Sequence, residues 1–121
     1  MSALLITIIA YAIIFISGYW MNHMGRPYNR IIFSFHKLLT LGVLVYLILV
    51  FRTAQDLQPF NLQEWILAAL GISAYIVALV SGGVLNLPRE MPRFVNILHH
   101  SAPYVVVVTT LLLMYRRFWG V

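Results

Sequence analysis

The chain has 121 residues, 62% of them hydrophobic and only 9% charged, with a mean hydropathy of +0.90. Such a composition lies far outside that of a soluble domain, so these residues read as a membrane protein with no room for a soluble catalytic domain. The formal charge of +5 does not point to nucleic acid, because the eight basic residues sit at segment ends instead of in one stripe. The lack of cysteine excludes disulfides, covalent c-type haem, thiolate-ligated haem and cysteine-bound iron–sulfur clusters.

A membrane-spanning helix needs roughly 20 apolar residues, and four stretches qualify: residues 3–21, 31–51, 65–85 and 97–114. The first has no basic n-region and is too long for a secretory h-region, so it reads as a helix and not as a signal peptide. A Gly- and Pro-containing turn, HMGRPYN, leads to the second span, whose head carries His36 and Lys37 side by side. The next connection, RTAQDLQPFNLQE, is the longest and most polar, suited to lying along the membrane surface. Within it, Asn61 and Glu64 have the spacing of a capping box for the third helix. The third loop, NLPREMP, has two prolines that suit a turn followed by a helix start, after which comes the fourth span. Arg26, Arg30, Lys37, Arg89 and Arg93 flank the first and third loops, against Arg52, Arg116 and Arg117 on the other side. This bias favours both termini outside, and the expected location is a bacterial or archaeal cytoplasmic membrane.

An internal repeat organises these spans. AYAIIFISGYWMNHMGRPYNRIIFSFHK lies over AYIVALVSGGVLNLPREMPRFVNILHH with one gap in the loop. Ala10 then meets Ala74, Tyr11 meets Tyr75, Ser17 meets Ser81, Gly18 meets Gly82 and Asn22 meets Asn86. Beyond the gap Arg26 meets Arg89, Arg30 meets Arg93 and His36 meets His99. Apolar composition alone would not align tyrosines, glycines, arginines and histidines. The expected fold is therefore all-α: one transmembrane domain over residues 1–121, a four-helix bundle made of two tandem helical hairpins, residues 3–52 and 64–117. Each copy has two spans and hence the same orientation, which implies a pseudo-two-fold axis along the membrane normal.

Under that symmetry His36 and His99 are mates, each roughly two turns into its helix and inside the bundle. Intramembrane ionisable residues are functional candidates by default, and two imidazoles facing each other match the axial ligands of a low-spin b-type haem. His100 is the rival to His99 but sits about 100° further round the helix and has no histidine partner in the repeat. The arrangement, with HK at His36–Lys37 and HHSAP at His99–Pro103, resembles small membrane-bound b-type cytochromes with bis-histidine ligation. It is more distantly similar to the cytochrome b anchors of succinate dehydrogenase. The resemblance implies non-covalent haem b, electron transfer and often quinone chemistry; the chain departs from two-haem members in lacking a second histidine pair near the opposite face.

Arg26, Arg30, Arg89 and Arg93 would lie at the membrane face of such a haem, where propionates need cationic donors, or act simply as positive anchors. Arg30 and Arg93, nearest the histidines, are the preferred propionate partners; Lys37 either helps or snorkels. Gly18 and Gly82 either admit a porphyrin or pack helices, and Tyr11 and Tyr75 read as core aromatics. His23 and His100 read as interfacial polar residues. The acids Asp56, Glu64 and Glu90 all fall in loops or at helix ends, which leaves no buried carboxylate relay and no hydrolytic triad.

The expected function is electron transfer through one bis-histidine haem b, with membrane lipid around the chain and a quinone or a redox-protein subunit as partner, in a homo- or hetero-oligomer. The alternative is a cofactor-free membrane anchor or assembly subunit with structural histidines. A small transporter would need a polar path to mid-membrane, for which Thr40, Thr109 and Thr110 are too little.

Overall fold

The computed structural model describes residues 2–24, 30–85 and 92–119. The fold is all-α: α1 Ala3–Met24, α2 Arg30–Leu57, α3 Leu62–Leu85 and α4 Arg93–Met114, followed by a π-helical turn α5 Tyr115–Trp119. All four long helices are apolar and long enough to cross a membrane. Their starts follow local chemistry. The Ser2 hydroxyl accepts from Leu5 N at 3.2 Å to cap α1. Asn61 and Glu64 cap α3 reciprocally, Glu64 N on Asn61 Oδ1 at 2.9 Å and Asn61 N on Glu64 Oε1 at 3.1 Å, as their spacing predicts. Pro92 stands immediately before α4, where a missing N–H is harmless.

The second connection differs from the expected surface segment. Helix α2 runs on to Leu57 and leaves only residues 58–61 between it and α3. Residues 52–57 are polar, yet the helix continues because Ala54 is buried and Thr53 folds its hydroxyl back on the Leu49 carbonyl at 2.9 Å. Pro59 then disfavours helical backbone in the residue before it, and the helix stops. At 28 residues α2 is about 42 Å long, so its last turns extend beyond a hydrocarbon core of about 30 Å.

The helices form a ring in which each touches its chain neighbour, with α4 closing on α1. Helices α3 and α4 pack most closely: a Cβ on Gly71 would lie 2.9 Å from Thr109 Oγ1, an approach that only glycine allows. Two tyrosines tie the hairpins together. Tyr11 of α1 bonds the Thr110 hydroxyl of α4 at 2.9 Å, and Tyr75 of α3 donates to the Thr40 carbonyl of α2 at 2.5 Å. Each aligned tyrosine thus reaches the second helix of the other hairpin. Both rings belong to a buried core with Val43, Leu47, Val106 and Met114.

The end of the bundle near the α2–α3 connection is closed by a buried ion pair. Arg117 Nη1 lies 3.3 Å from Glu64 Oε2, with both side chains under a tenth exposed. The same guanidinium donates to the carbonyls of Ala54, at 2.5 Å, and Gln58, and lies 4.8 Å from the centre of the Phe60 ring. One side chain thereby binds two carbonyls at the end of α2, of which Ala54 also accepts from Gln58 N, neutralises the cap of α3 and anchors the chain just after α4. Glu64→Ala leaves the guanidinium buried without its carboxylate and uncaps α3. The expected loss is about 3 kcal/mol or more, read as thermal unfolding of the detergent-solubilised protein by circular dichroism. Asp56→Ala, at an exposed position, should change stability by less than about 0.5 kcal/mol.

Candidate functional site

His36 lies near the start of α2 and His99 near the start of α4, helices placed diagonally across the ring. Each ring is held by the neighbouring helix of its own hairpin. The Ser17 hydroxyl donates to the Ile14 carbonyl at 2.9 Å, so its oxygen has only lone pairs left for His36 Nδ1, 2.7 Å away. His36 Nδ1 must therefore be the donor. In the second hairpin His99 Nδ1 lies 3.0 Å from the Ala78 carbonyl, which can only accept, and 3.2 Å from Ser81 Oγ, whose own proton goes to the Val77 carbonyl at 2.6 Å. Again Nδ1 carries the hydrogen. In a neutral imidazole this leaves the free lone pair on Nε2, the tautomer that a metal ligand needs, oriented by a hydrogen bond at the other nitrogen.

Both rings line one cavity of about 540 Å³, within the range of small-molecule and cofactor sites. All four helices contribute to it, including Tyr11, Gly18, Tyr75 and Gly82. It occupies the half of the bundle nearest the α1–α2 connection, while the other half is filled by the Gly71–Thr109 approach and side chains such as Leu113 and Met114. The wall is mostly apolar. Among the described residues no three His, Asp or Glu side chains gather into a metal cluster. Three imidazoles line the cavity, of which His36 and His99 sit on diagonally placed helices, a pair suited to an iron that arrives with its four equatorial nitrogens in a macrocycle.

The glycines line the cavity and also give the histidine rings clearance. A Cβ on Gly18 would lie 3.2 Å from His36 Cε1, and one on Gly82 only 2.8 Å from His99 Cε1. Their missing side chains make room for the imidazoles themselves, while both residues still form part of the cavity wall. Arg30 and Arg93 are the first residues of α2 and α4, exposed, and not part of that wall. Arg26, Arg89 and Asn86 lie outside the described residues. His100 does line the cavity, with its Nδ1 2.8 Å from the Asn96 carbonyl and its ring edge-on to His99 at 5.9 Å. His23 stacks on Tyr19 at 6.2 Å and takes no part in the wall. Pro103, one turn after His99, lines the cavity too and lacks the N–H that would otherwise bond the His99 carbonyl.

Comparison of the chain with protein-family models, with curated proteins and with solved structures finds no match. The site is therefore read from its own geometry. Sequence reasoning aligned Ser17 with Ser81 without assigning them a task; the signal was the Ser-Gly pair standing in each repeat ahead of its histidine. Steric fit sets an order for the glycines. Gly82→Ala pushes a methyl against His99 Cε1 and should destabilise the protein by about 1–3 kcal/mol, Gly18→Ala by less. Gly42→Ala, where nothing lies within 4 Å, should be neutral; thermal unfolding of the three variants in detergent checks the ranking.

Proposed function

We propose that the chain is a membrane-bound b-type cytochrome that carries electrons through one haem b held between His36 and His99. One observation supports this above the rest: two histidines on diagonally opposed helices, both with Nδ1 committed as donor, line a single cavity large enough for a cofactor. A pair of purely structural histidines would bond each other or fill the core, and would need no cavity between them. In this proposal Nε2 of each ring would hold the iron, Ser17 and the Ala78 carbonyl would keep the rings oriented, and the apolar wall would exclude water and help set the potential. Haem, when bound, supplies a ferric/ferrous couple.

The aligned residues, and the serine–histidine contact that recurs at the matched positions of each hairpin, support a duplicated hairpin with a pseudo-two-fold axis along the membrane normal. The cavity occupies one half of the bundle, so a single redox centre there is too far from the opposite face to serve both sides of a core about 30 Å thick. Its partner is then a quinol in the near leaflet or a redox-protein subunit on that side. Phe15 and Tyr104, rings 5.7 Å apart across the seam between α1 and α4, line the cavity there, and Tyr104 is well exposed to the surroundings. A lipid-dissolved quinol reaches the cavity wall at that seam. The charge bias of the loops favours both termini outside.

The dithionite-reduced minus oxidised visible spectrum of protein expressed with ample haem should show sharp b-type bands. His36→Ala and His99→Ala should each abolish or change them, whereas His23→Ala should leave them intact. A colourless wild-type protein would sink the cytochrome reading in favour of a cofactor-free anchor.

A further inference from the structure

Electrostatics of the cavity rim separate two sets of basic residues. Residue 37 follows His36 as residue 100 follows His99, so Lys37 and His100 occupy corresponding places beside the two aligned histidines. Both line the cavity, although both also reach the surroundings. Arg30 and Arg93, each six residues before its histidine, do not line it. Among the described residues no carboxylate lies against Lys37: Glu64 is paired with Arg117 at the other end of the bundle, and Asp56 is at that end too. Among the described residues, a cationic head and an imidazole thus stand at the rim of an apolar cavity with no carboxylate against them.

We infer that Lys37 and His100, and not Arg30 and Arg93, hold the anionic groups of the cavity's ligand, which therefore is an amphipathic molecule bearing carboxylates beside its apolar body. This rests on the haem reading above, in which the carboxylates are the two propionates. The ammonium of Lys37, on its flexible stem, supplies donors to one of them. His100 acts differently. Its ring, anchored through Nδ1–H on the Asn96 carbonyl, lines the rim beside the second carboxylate. The rim is consequently unequal: a lysine beside His36, and a histidine beside His99. The arginines keep a different task at the helix starts, where positive charge anchors the chain at the membrane surface.

The experiment compares haem with haem dimethyl ester, in which both propionates are neutralised, and follows release of each from the solubilised protein to a soluble haem scavenger. Wild type should hold haem about tenfold longer than the ester or more, the worth of charge-assisted hydrogen bonds. In Lys37→Gln/His100→Gln the two release rates should converge, with b-type bands still present to show that His36 and His99 remain ligands. Arg30→Gln/Arg93→Gln should keep the wild-type ratio. An undiminished ratio in the Lys37/His100 variant, or a collapsed one in the arginine variant, would overturn the assignment while leaving haem binding intact. Failure of wild type to bind either porphyrin would instead overturn the haem reading and this inference with it.

Discussion

Inside a bilayer a polar side chain without a partner loses several kcal/mol relative to water, and no solvent is available to rescue it. The histidine ends of both hairpins are organised around that constraint. An imidazole has two nitrogens; one is satisfied by a serine or a backbone carbonyl of the adjacent helix, which leaves the other facing the cavity. Room for the ring comes from the glycine next to that serine. Serine, glycine and histidine form one packing unit, present once per hairpin, and the cavity lies between the units.

The opposite end answers the same constraint in another way. There the polar groups are gathered and consumed: Arg117, Glu64, Asn61 and the end carbonyls of α2 form one network with Phe60 over the guanidinium. The two ends of the bundle are thus chemically distinct, one sealed by a satisfied ion pair and one holding the histidines around a cavity. Between them the two tyrosine bonds and the Gly71–Thr109 contact fix how the hairpins sit. Buried ion pairs contribute little net stability but are strongly destabilising when broken, so the Arg117 network serves as a register device, holding the α3 start and the α4 end in the positions from which His99 reaches the cavity.

Function on this scaffold follows from asymmetry as much as from repetition. Duplication would put two equivalent ligands in place, whereas the residues that differ between the copies, Lys37 against His100 and Thr40 against Pro103, lie on the cavity wall. Thr40 donates its hydroxyl to the His36 carbonyl at 2.6 Å, while Pro103 withdraws a donor from the His99 carbonyl. The two imidazoles therefore sit in unlike backbones, and a redox centre between them would feel an unequal field from its two sides.

Much of this was legible in the chain itself. Hydropathy marked four spans because spanning helices must be long and apolar, the Asn61–Glu64 spacing marked a cap, and recurring Tyr, Ser, Gly and His at matched offsets marked the residues worth watching. Spacing also placed His36 and His99 at one depth, since helical rise converts offset into height. What only the tertiary structure decided was direction and contact. Periodicity carries no information on which neighbouring helix a ring leans against, so the serine bonds, the glycine clearances and the wall membership of Lys37 and His100 appeared only with the helices packed. The same holds for α2, whose polar tail reads as a loop until Arg117, some sixty residues away in sequence, supplies the partners that allow it to remain a helix.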